Sequence, residues 1–456
     1  MIISIVVLGQ SRLKYAAVAE NNTHYYKIID TLGRVLVDSI LRPDGIEPYG
    51  WRYDEGIFKF ERNDKIGYKN IRNQIVLPAV CDEVYDFVNG AGIATIDGKM
   101  GVVNKKGTWV IPPNCRYIAH ADTTGLLIVI DSNGLLGLMT IHGGTVLKPY
   151  YHAGKERPRF SDGLLAIVAQ EQPEKHAKPG LHIGFIDTRG KLMIDTVWET
   201  DAGMLRPGYT PDVLGGYYDG SFPRHDYYRF EGSRALARKS GKNVVINKAG
   251  NILFTLPDTV ENIYNCQGLF AFNNTKGTSN RSGRTIYGFF GHSGQIVRQG
   301  TFTPVSDFRN GHMLLKLNDT SYQFIDATGL PAFGGQTFMI ATGFSDGYAM
   351  VSTSKKGCLI DIEGNLKCID SAMMPSHTAS DNGWFTFVRG SSWGFVDANN
   401  KVTIPPTYPG LYRFWNGYCG YRDRNGKAGY IDEKNHIVIP ALYYDVLDFQ
   451  VLKKTR

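Results

Sequence analysis

Short apolar runs alternate with polar, turn-forming residues along almost the whole chain. Residues 184–194 show the pattern: Gly-Phe-Ile precedes a polar Asp-Thr-Arg-Gly stretch, and Leu-Met-Ile follows it soon after. Runs of this length, rich in aromatic and branched residues, predict short β-strands joined by tight turns. No stretch shows a sustained helical period. The pattern therefore predicts an all-β protein.

The same segment recurs eleven times, and we number the copies repeats 1 to 11. They begin at Lys27, Gly67, Gly101, Gly137, Gly184, Val244, Gly288, Gln323, Cys358, Gly394 and Gly429. Six of the ten intervals between starts lie between 34 and 36 residues, and the three longest are consecutive and mark insertions. A unit this small cannot bury its apolar face alone, so the copies are expected to stack into one array.

Two positions in each copy predict the same three-residue hairpin loop. The fourth position is Asp or Asn in nine copies: Asp30, Asn70, Asn104, Asp187, Asn247, Asp326, Asp361, Asp397 and Asp432. The seventh is Gly or Asn in all eleven: Gly33, Asn73, Gly107, Gly143, Gly190, Gly250, Gly294, Gly329, Gly364, Asn400 and Asn435. Such a loop is a type I turn followed by a left-handed residue. Asp or Asn accepts a backbone hydrogen bond at the first corner, and Gly or Asn tolerates the left-handed one.

Two further elements accompany the hairpin. An upstream Phe-x-Asn/Asp-Gly signature stands at residues 87–90, 160–163, 308–311, 344–347 and 414–417, and each leads into another apolar run. In four copies a proline follows the hairpin eleven residues from its start, at Pro78, Pro112, Pro405 and Pro440. Because proline cannot donate to a ladder, we expect these prolines at strand boundaries. One repeat thus supplies about three antiparallel strands.

These motifs resemble the WG-repeat family, also called KWG repeats. The most similar copy is Trp393-Gly394-Phe395-Val396-Asp397 with Val402-Thr-Ile-Pro405, and residues 160–164 and 344–348 resemble the family's upstream element. The tryptophan is present in this copy alone; Ile66, Met100, Leu136, Ile183 or Tyr287 replaces it elsewhere. The resemblance, over roughly residues 15 to 450, implies a mostly bacterial β-rich repeat module that mediates binding and shares no catalytic residues.

Two arrangements could bury the faces of eleven three-stranded β-meander repeats. They could continue as an open superhelix, or close into one or more β-propeller-like rings. Propellers usually have four to eight blades with longer repeats, so we favour the open array. Within one continuous array, residues 1–168 hold N-terminal repeats, 169–287 irregular repeats with insertions, and 288–456 regular C-terminal repeats.

Composition narrows the class of protein. The 456 residues include 52 glycines and 12% aromatics, which suits many turns and short strands. The formal charge of +7 is mild for this length and makes nucleic acid an unlikely partner. The N-terminal apolar run of eight residues is too short to span a membrane and is a poor signal peptide. We expect it to form a first strand of a cytoplasmic protein, although a secreted or surface protein stays open.

The six cysteines are too scattered for a disulfide framework and have no zinc-ligand spacing. Cys358 and Cys368 lie on either side of a predicted loop and should be directly opposed on neighbouring strands. A disulfide or redox switch is one interpretation of this pair. We favour the other, in which both are free cysteines that behave as small hydrophobic residues.

The insertions are the candidate binding sites, because unequal loops on a regular scaffold usually carry the function. Tyrosine and arginine are enriched at binding hot spots, and the first insertion holds many of both. A second insertion is basic and could grip an acidic partner, although a solvated loop would look the same. The candidate residues are Arg206, Tyr209, Tyr217, Tyr218, Arg224, Tyr227 and Tyr228 in the first insertion, and Lys276, Arg281 and Arg284 in the second.

No nucleophile motif, phosphate-binding loop, dinucleotide fingerprint or metal-ligand spacing occurs in the sequence. We therefore expect no enzymatic activity, no cofactor and no metal. The leading interpretation is a scaffold that recognises a protein or peptide over an extended β-repeat surface. A carbohydrate- or cell-wall-binding module is the first alternative, and a hydrolase with an unrecognised site is the second.

Overall fold

The computed structural model describes most of the chain. The described residues are 12–22, 24–43, 45–46, 50–51, 53, 55–121, 125–152, 158–170, 181–199, 228–258, 260, 263–266, 269–274, 286–306, 308–345, 347–352, 356–369, 374–379 and 382–453. The apolar run that we predicted as a first strand, residues 1–8, lies outside them. Over the described part the protein is β-structure with no α-helix, so no helix there could cross a membrane.

The strands of the first five repeats follow chain order. They are β1 Lys14–Ala19, β2 Tyr25–Asp30, β3 Val35–Leu41, β4 Gly45–Ile46, β5 Gly50–Trp51, β6 Ile57–Arg62, β7 Lys65–Asn70, β8 Ile75–Cys81, β9 Glu83–Val84, β10 Ala91–Ile96, β11 Lys99–Asn104, β12 Trp109–Cys115, β13 Tyr117–His120, β14 Leu126–Ile130, β15 Leu135–Thr140, β16 Thr145–His152, β17 Leu164–Gln170, β18 Leu181–Asp187 and β19 Leu192–Glu199.

The later repeats continue in the same way, and one short 3₁₀ turn, Phe333–Gly335, interrupts them. Their strands are β20 Arg234–Lys239, β21 Lys242–Asn247, β22 Ile252–Thr255, β23 Ile263–Cys266, β24 Leu269–Asn274, β25 Ile286–Phe290, β26 Ile296–Gly300, β27 Thr303–Pro304, β28 His312–Asn318, β29 Ser321–Asp326, β30 Thr337–Phe338, β31 Ile340–Ala341, β32 Tyr348–Ser352, β33 Gly357–Asp361, β34 Leu366–Ile369, β35 Met374–Ala379, β36 Phe385–Arg389, β37 Ser392–Val396, β38 Val402–Tyr408, β39 Gly410–Trp415, β40 Tyr418–Arg422, β41 Ala428–Asp432, β42 Ile437–Tyr443, β43 Asp445–Val446 and β44 Gln450–Val451.

Each repeat forms a small antiparallel sheet whose strands pair in chain order, and the sheets of repeats 4 and 5 join into one of seven strands. Three long strands form the predicted meander, and most repeats add a short strand before them. The all-β repeat array is therefore confirmed. We call the last strand of each meander, such as β8 or β12, its outer strand.

The predicted turn chemistry is confirmed in every repeat. The seventh residue has a positive φ in all eleven copies, between +61° and +90°. Each of the nine Asp or Asn side chains at the fourth position accepts hydrogen bonds from two backbone N–H groups of its own turn. In repeat 10, for example, Asp397 accepts from Asn399 and Lys401, both at 2.9 Å.

The glycine that opens most repeats has a steric role. A Cβ on Gly101 would lie 2.7 Å from the carbonyl oxygen of Ile111 in the outer strand, and one on Gly137 would lie 2.7 Å from that of Leu147. The register between the two strands shifts at this point, so the outer strand bulges toward the glycine. Glycine thus allows two backbones to approach more closely than any side chain would permit.

The expectation that proline ends the outer strand is wrong. Pro78 lies in the middle of β8, and Pro112, Pro405 and Pro440 occupy the same place in β12, β38 and β42. The strand continues because the proline sits in the bulge opposite the repeat's first glycine, where no ladder bond is needed. These outer strands end their sheets, and proline on an edge discourages pairing with other chains.

The Phe-x-Asn/Asp-Gly signature joins one repeat to the next. Its last two residues form a two-residue turn with positive φ at both positions, +52° at Asn89 and +85° at Gly90. Its phenylalanine packs on the aromatic residue at the second position of the preceding repeat, and Phe230 takes the same place before repeat 6. The ring centroids are 4.8 Å apart for Tyr68–Phe87, 5.0 Å for Phe185–Phe230, 5.0 Å for Phe324–Phe344 and 4.9 Å for Phe395–Phe414.

The two ends of the array meet. The C-terminal strands β43 and β44 pair with β1, with Val446 opposite Val18 and Gln450 opposite Tyr15. Phe449 packs on Tyr430 at 4.7 Å, as the signature phenylalanine does between other repeats. The tail therefore supplies the short strand that repeat 1 would otherwise lack. A closed ring of repeats would pair its first and last strands in this way. An open superhelix would leave this edge of β1 without a partner strand.

Candidate functional site

The predicted binding residues in the insertions mostly lie outside the described residues. This holds for nine of them: Arg206, Tyr209, Tyr217, Tyr218, Arg224, Tyr227, Lys276, Arg281 and Arg284. Tyr228 is described. Its side chain is 6% exposed, and its hydroxyl donates to the carbonyl of Glu199 while accepting from the N–H of Arg238. Tyr228 thus anchors the end of the first insertion to the core, and binding by the other residues stays a prediction.

A row of basic residues lies in the hairpin turns of four consecutive repeats. The residue just before the left-handed corner is Arg72 in repeat 2, Lys106 in repeat 3, His142 in repeat 4 and Arg189 in repeat 5, and all four are exposed. We call these four residues the basic turn row. Sequence reasoning missed it, although the signal was present as one residue type recurring at one repeat position.

The turns form a row because those of repeats 3, 4 and 5 each pack on the repeat before them. A Cβ on Gly143 would lie 2.7 Å from the carbonyl oxygen of Val110, and one on Gly190 would lie 2.9 Å from the Cβ of Leu147. Both contacts are with the outer strand of the preceding repeat. The turns of successive repeats therefore stand side by side at the same end of their sheets.

Little negative charge offsets this row. The first turn residue is neutral in repeats 2, 3 and 4, where it is Asn70, Asn104 and Thr140, whereas it is aspartate in six other repeats. Among the described residues, no carboxylate pairs with Arg72, Lys106 or His142. Arg189 differs, because its guanidinium contacts Asp187 at 2.8 Å.

Apolar residues lie beside three of the four basic ones. Three positions after each basic residue, the outer strand begins with Ile75, Trp109, Thr145 or Leu192. Ile75 is 56% exposed and Leu192 is 37% exposed. The surface thus combines cationic tips with exposed hydrophobic groups, which suits a partner that carries both acidic and apolar side chains.

An aspartate stands in the turn at the other end of each of these sheets. Asp64, Asp97 and Asp131 stand in the turns that join the first two long strands of repeats 2, 3 and 4. Antiparallel strands place these turns opposite the basic turn row. Arg62, Lys65 and Lys99 stand beside the first two of these aspartates, so this end of the sheets carries both signs of charge.

The interior of this region holds buried ionisable groups. Glu55, 5% exposed at its side chain, lies 2.6 Å from Lys105 and 3.5 Å from Lys453. Burial lowers the pKa of His120 to about 4, partly offset by the negative charge of Glu55. Both ring nitrogens of His120 are buried without a hydrogen-bond partner. No group of described His, Cys, Asp and Glu residues has the arrangement of a metal site.

Comparison with known families agrees with the repeat geometry. The model of the WG containing repeat matches residues 66–99, 100–129, 393–427 and 429–450. These four stretches of the chain are similar to WG repeats. The first two matches contain Arg72 and Lys106, so half of the basic turn row lies in segments that match the family. The last two matches contain repeats 10 and 11, which precede the tail strands that pair with β1. No curated protein matches the chain.

Solved structures resemble the chain only distantly. A crystal structure of a eukaryotic initiation factor has 10% identity and a TM-score of 0.35 over 78% of this chain and 96% of that chain. BamB from Moraxella catarrhalis has 12% identity and a TM-score of 0.29 over 71% and 94%. Apo AztD from Citrobacter koseri has 8% identity and a TM-score of 0.28 over 96% and 98%. Likenesses this low support no conclusion about function.

Proposed function

We propose that this WG-repeat chain is a non-enzymatic scaffold that binds an acidic segment of another protein along the basic turn row. The observation that carries the proposal is the recurrence of an exposed basic residue at one turn position in four consecutive repeats. Exposed apolar residues beside it add contact area. An extended partner could meet the four turns in succession.

The expected strength of such binding follows from its electrostatics. Exposed ion pairs contribute only about 0–1 kcal/mol each, so those of Arg72, Lys106 and Arg189 give modest affinity without the apolar contacts. Charge complementarity chiefly raises the association rate and sets orientation. Binding should therefore weaken as ionic strength rises, because salt screens exposed charges beyond roughly 10 Å at 0.1 M.

Selection from a random peptide display library against the full chain would test the proposal. We expect peptides rich in Asp and Glu with interspersed apolar residues, whose affinity falls in high salt. Replacing Arg72→Glu, Lys106→Glu and Arg189→Glu together should reduce their affinity at least about tenfold, or 1.4 kcal/mol. Lys434→Glu is the matched control, since Lys434 holds the same turn position in repeat 11 and is also exposed.

Several outcomes would count against binding at the basic turn row. One is the selection of peptides that lack acidic residues. Another is an equal loss of affinity in the Lys434→Glu control. If the chain bound an oligonucleotide more tightly than these peptides, the partner would be a nucleic acid and not a protein. The same peptides can test the first insertion: Tyr217→Ala, Tyr218→Ala and Arg224→Ala should weaken binding if the partner extends that far.

A further inference from the structure

Cys358 and Cys368 form a disulfide between neighbouring strands of repeat 9. They are directly opposite in the register of β33 and β34, as the sequence predicted. The favoured expectation that both are free is corrected, because this register brings their Cα atoms to 4.0 Å. The two sides of the bond differ in access: Cys358 is 4% exposed in the core, whereas Cys368 is exposed on the edge strand.

Repeat 9 lacks the close backbone contact that holds the outer strand in repeats 2 to 5, 10 and 11. Cys358 occupies the place of the first glycine, which in those repeats receives the bulge of the outer strand. The pairing of β33 with β34 runs through this position without a shift. The disulfide therefore stands where those six repeats have close backbone packing.

Strand β34 also carries the junction with repeat 10. The carbonyl oxygen of Lys367 accepts a hydrogen bond from the side-chain amide of Asn400 at 2.7 Å. The ammonium group of Lys367 donates to the carbonyl of Ala398 at 3.2 Å. Asn400 is the left-handed corner of the repeat 10 turn, so this turn packs on β34 next to the disulfide.

We infer that the Cys358–Cys368 bond is a thiol–disulfide exchange site whose substrate is a low-molecular-weight thiol, and that its reduction loosens the junction between repeats 9 and 10. A thiolate attacks the sulfur of Cys368, the more exposed residue of the pair, which forms a mixed disulfide and releases the Cys358 thiolate; that group takes a proton from water. A second small-molecule thiolate then attacks the sulfur of the first one in the mixed disulfide. The two small molecules leave together as their disulfide, and the Cys368 thiolate is released, so two electrons pass to the protein.

The direction of attack gives the first test. The native full chain is incubated with reduced glutathione, quenched with acid, and mapped by mass spectrometry. Glutathione should be found on Cys368 and not on Cys358, and millimolar dithiothreitol should reduce the bond without denaturant. An adduct on Cys358, or a bond that resists reduction until the protein unfolds, would overturn the assignment.

Amide hydrogen exchange gives the second test. After reduction, residues 366–369 and 397–400 should exchange between about tenfold and a hundredfold faster, since a cross-link of this kind contributes local stability. Strand β42 should not change. Cys368→Ser should show the same fast exchange and no response to dithiothreitol, while Cys266→Ser, which removes a cysteine outside this disulfide, should respond like the wild type. Complete reduction with unchanged exchange would refute the coupling, even if the serine variant fails to fold.

Discussion

Three turn glycines provide a graded test of repeat stacking. Gly33, Gly143 and Gly107 occupy the same turn position, with φ of +78°, +84° and +79°. A Cβ on Gly33 would meet nothing within 4 Å, one on Gly143 would lie 2.7 Å from the carbonyl oxygen of Val110, and one on Gly107 would overlap that of Val76. Alanine at each site therefore carries the same left-handed strain but a different clash with the preceding repeat.

The magnitudes follow from these two effects. Placing alanine in the left-handed conformation destabilises the folded state by roughly 1–2 kcal/mol. Alanine also lowers the conformational entropy of the unfolded chain, which offsets about 0.4–1 kcal/mol of this loss. Gly33→Ala should therefore lower the free energy of unfolding by about 1 kcal/mol. Displacing a packed backbone adds about 1–3 kcal/mol, so Gly143→Ala should cost about 2–4 kcal/mol and Gly107→Ala should cost the most.

Urea unfolding followed by tryptophan fluorescence would measure the series, with the midpoint and slope fitted for each variant. Hydrogen exchange of β8 and β12 would show whether the loss is local to the junction, because long repeat arrays can unfold in parts. Equal losses at all three sites would show that turn strain alone matters. A larger loss at Gly33 than at Gly107 would refute the packing of turns on preceding repeats.

Two further predictions concern the interior and the closure. Because burial holds the pKa of His120 at about 4 instead of its ordinary 6.5, the unfolded chain binds its proton first as pH falls. Stability from this group is complete above pH 6.5 and is lost toward pH 4, by as much as about 3 kcal/mol. His120→Gln should flatten the pH dependence of unfolding in that window, and parallel curves would contradict this. Phe449→Ala should cost about 3–5 kcal/mol by urea unfolding, because this ring is fully buried. Tyr444→Ala, at a 44% exposed neighbour in the same tail, is its control, and equal losses would count against closure by Phe449.

The local chemistry of the repeats could be predicted from the sequence, whereas their contacts with each other could not. A left-handed corner needs Gly or Asn wherever it occurs, so the turns from Gly33 to Asn435 were visible as a pattern. The bulge around Pro78 was missed because it depends on Gly67 in the neighbouring strand. The pairing of Tyr68 with Phe87 was also missed, since it joins two motifs from different repeats.

The pairing of the two ends and the disulfide both depend on contacts between strands. The C-terminal tail has no hairpin of its own, so the repeat pattern did not reveal it as part of a repeat. Its Asp445-Val446-Leu447-Asp448-Phe449 nevertheless parallels Glu83-Val84-Tyr85-Asp86-Phe87. The opposition of Cys358 and Cys368 was predictable from the loop. Their bond was not, because it depends on how closely the two strands approach.

The most direct test of the closed array is a cross-link between its ends. Lys14 in β1 and Val451 in β44 are directly opposite, and the bond from the N–H of Leu452 to the carbonyl of Leu13 makes them a close, non-hydrogen-bonded pair. Under mild oxidation of the dilute protein, Lys14→Cys combined with Val451→Cys should form an intramolecular disulfide, detected by peptide mapping. A pair that stays reduced, or that links only different molecules, would show that the two ends of the array do not meet.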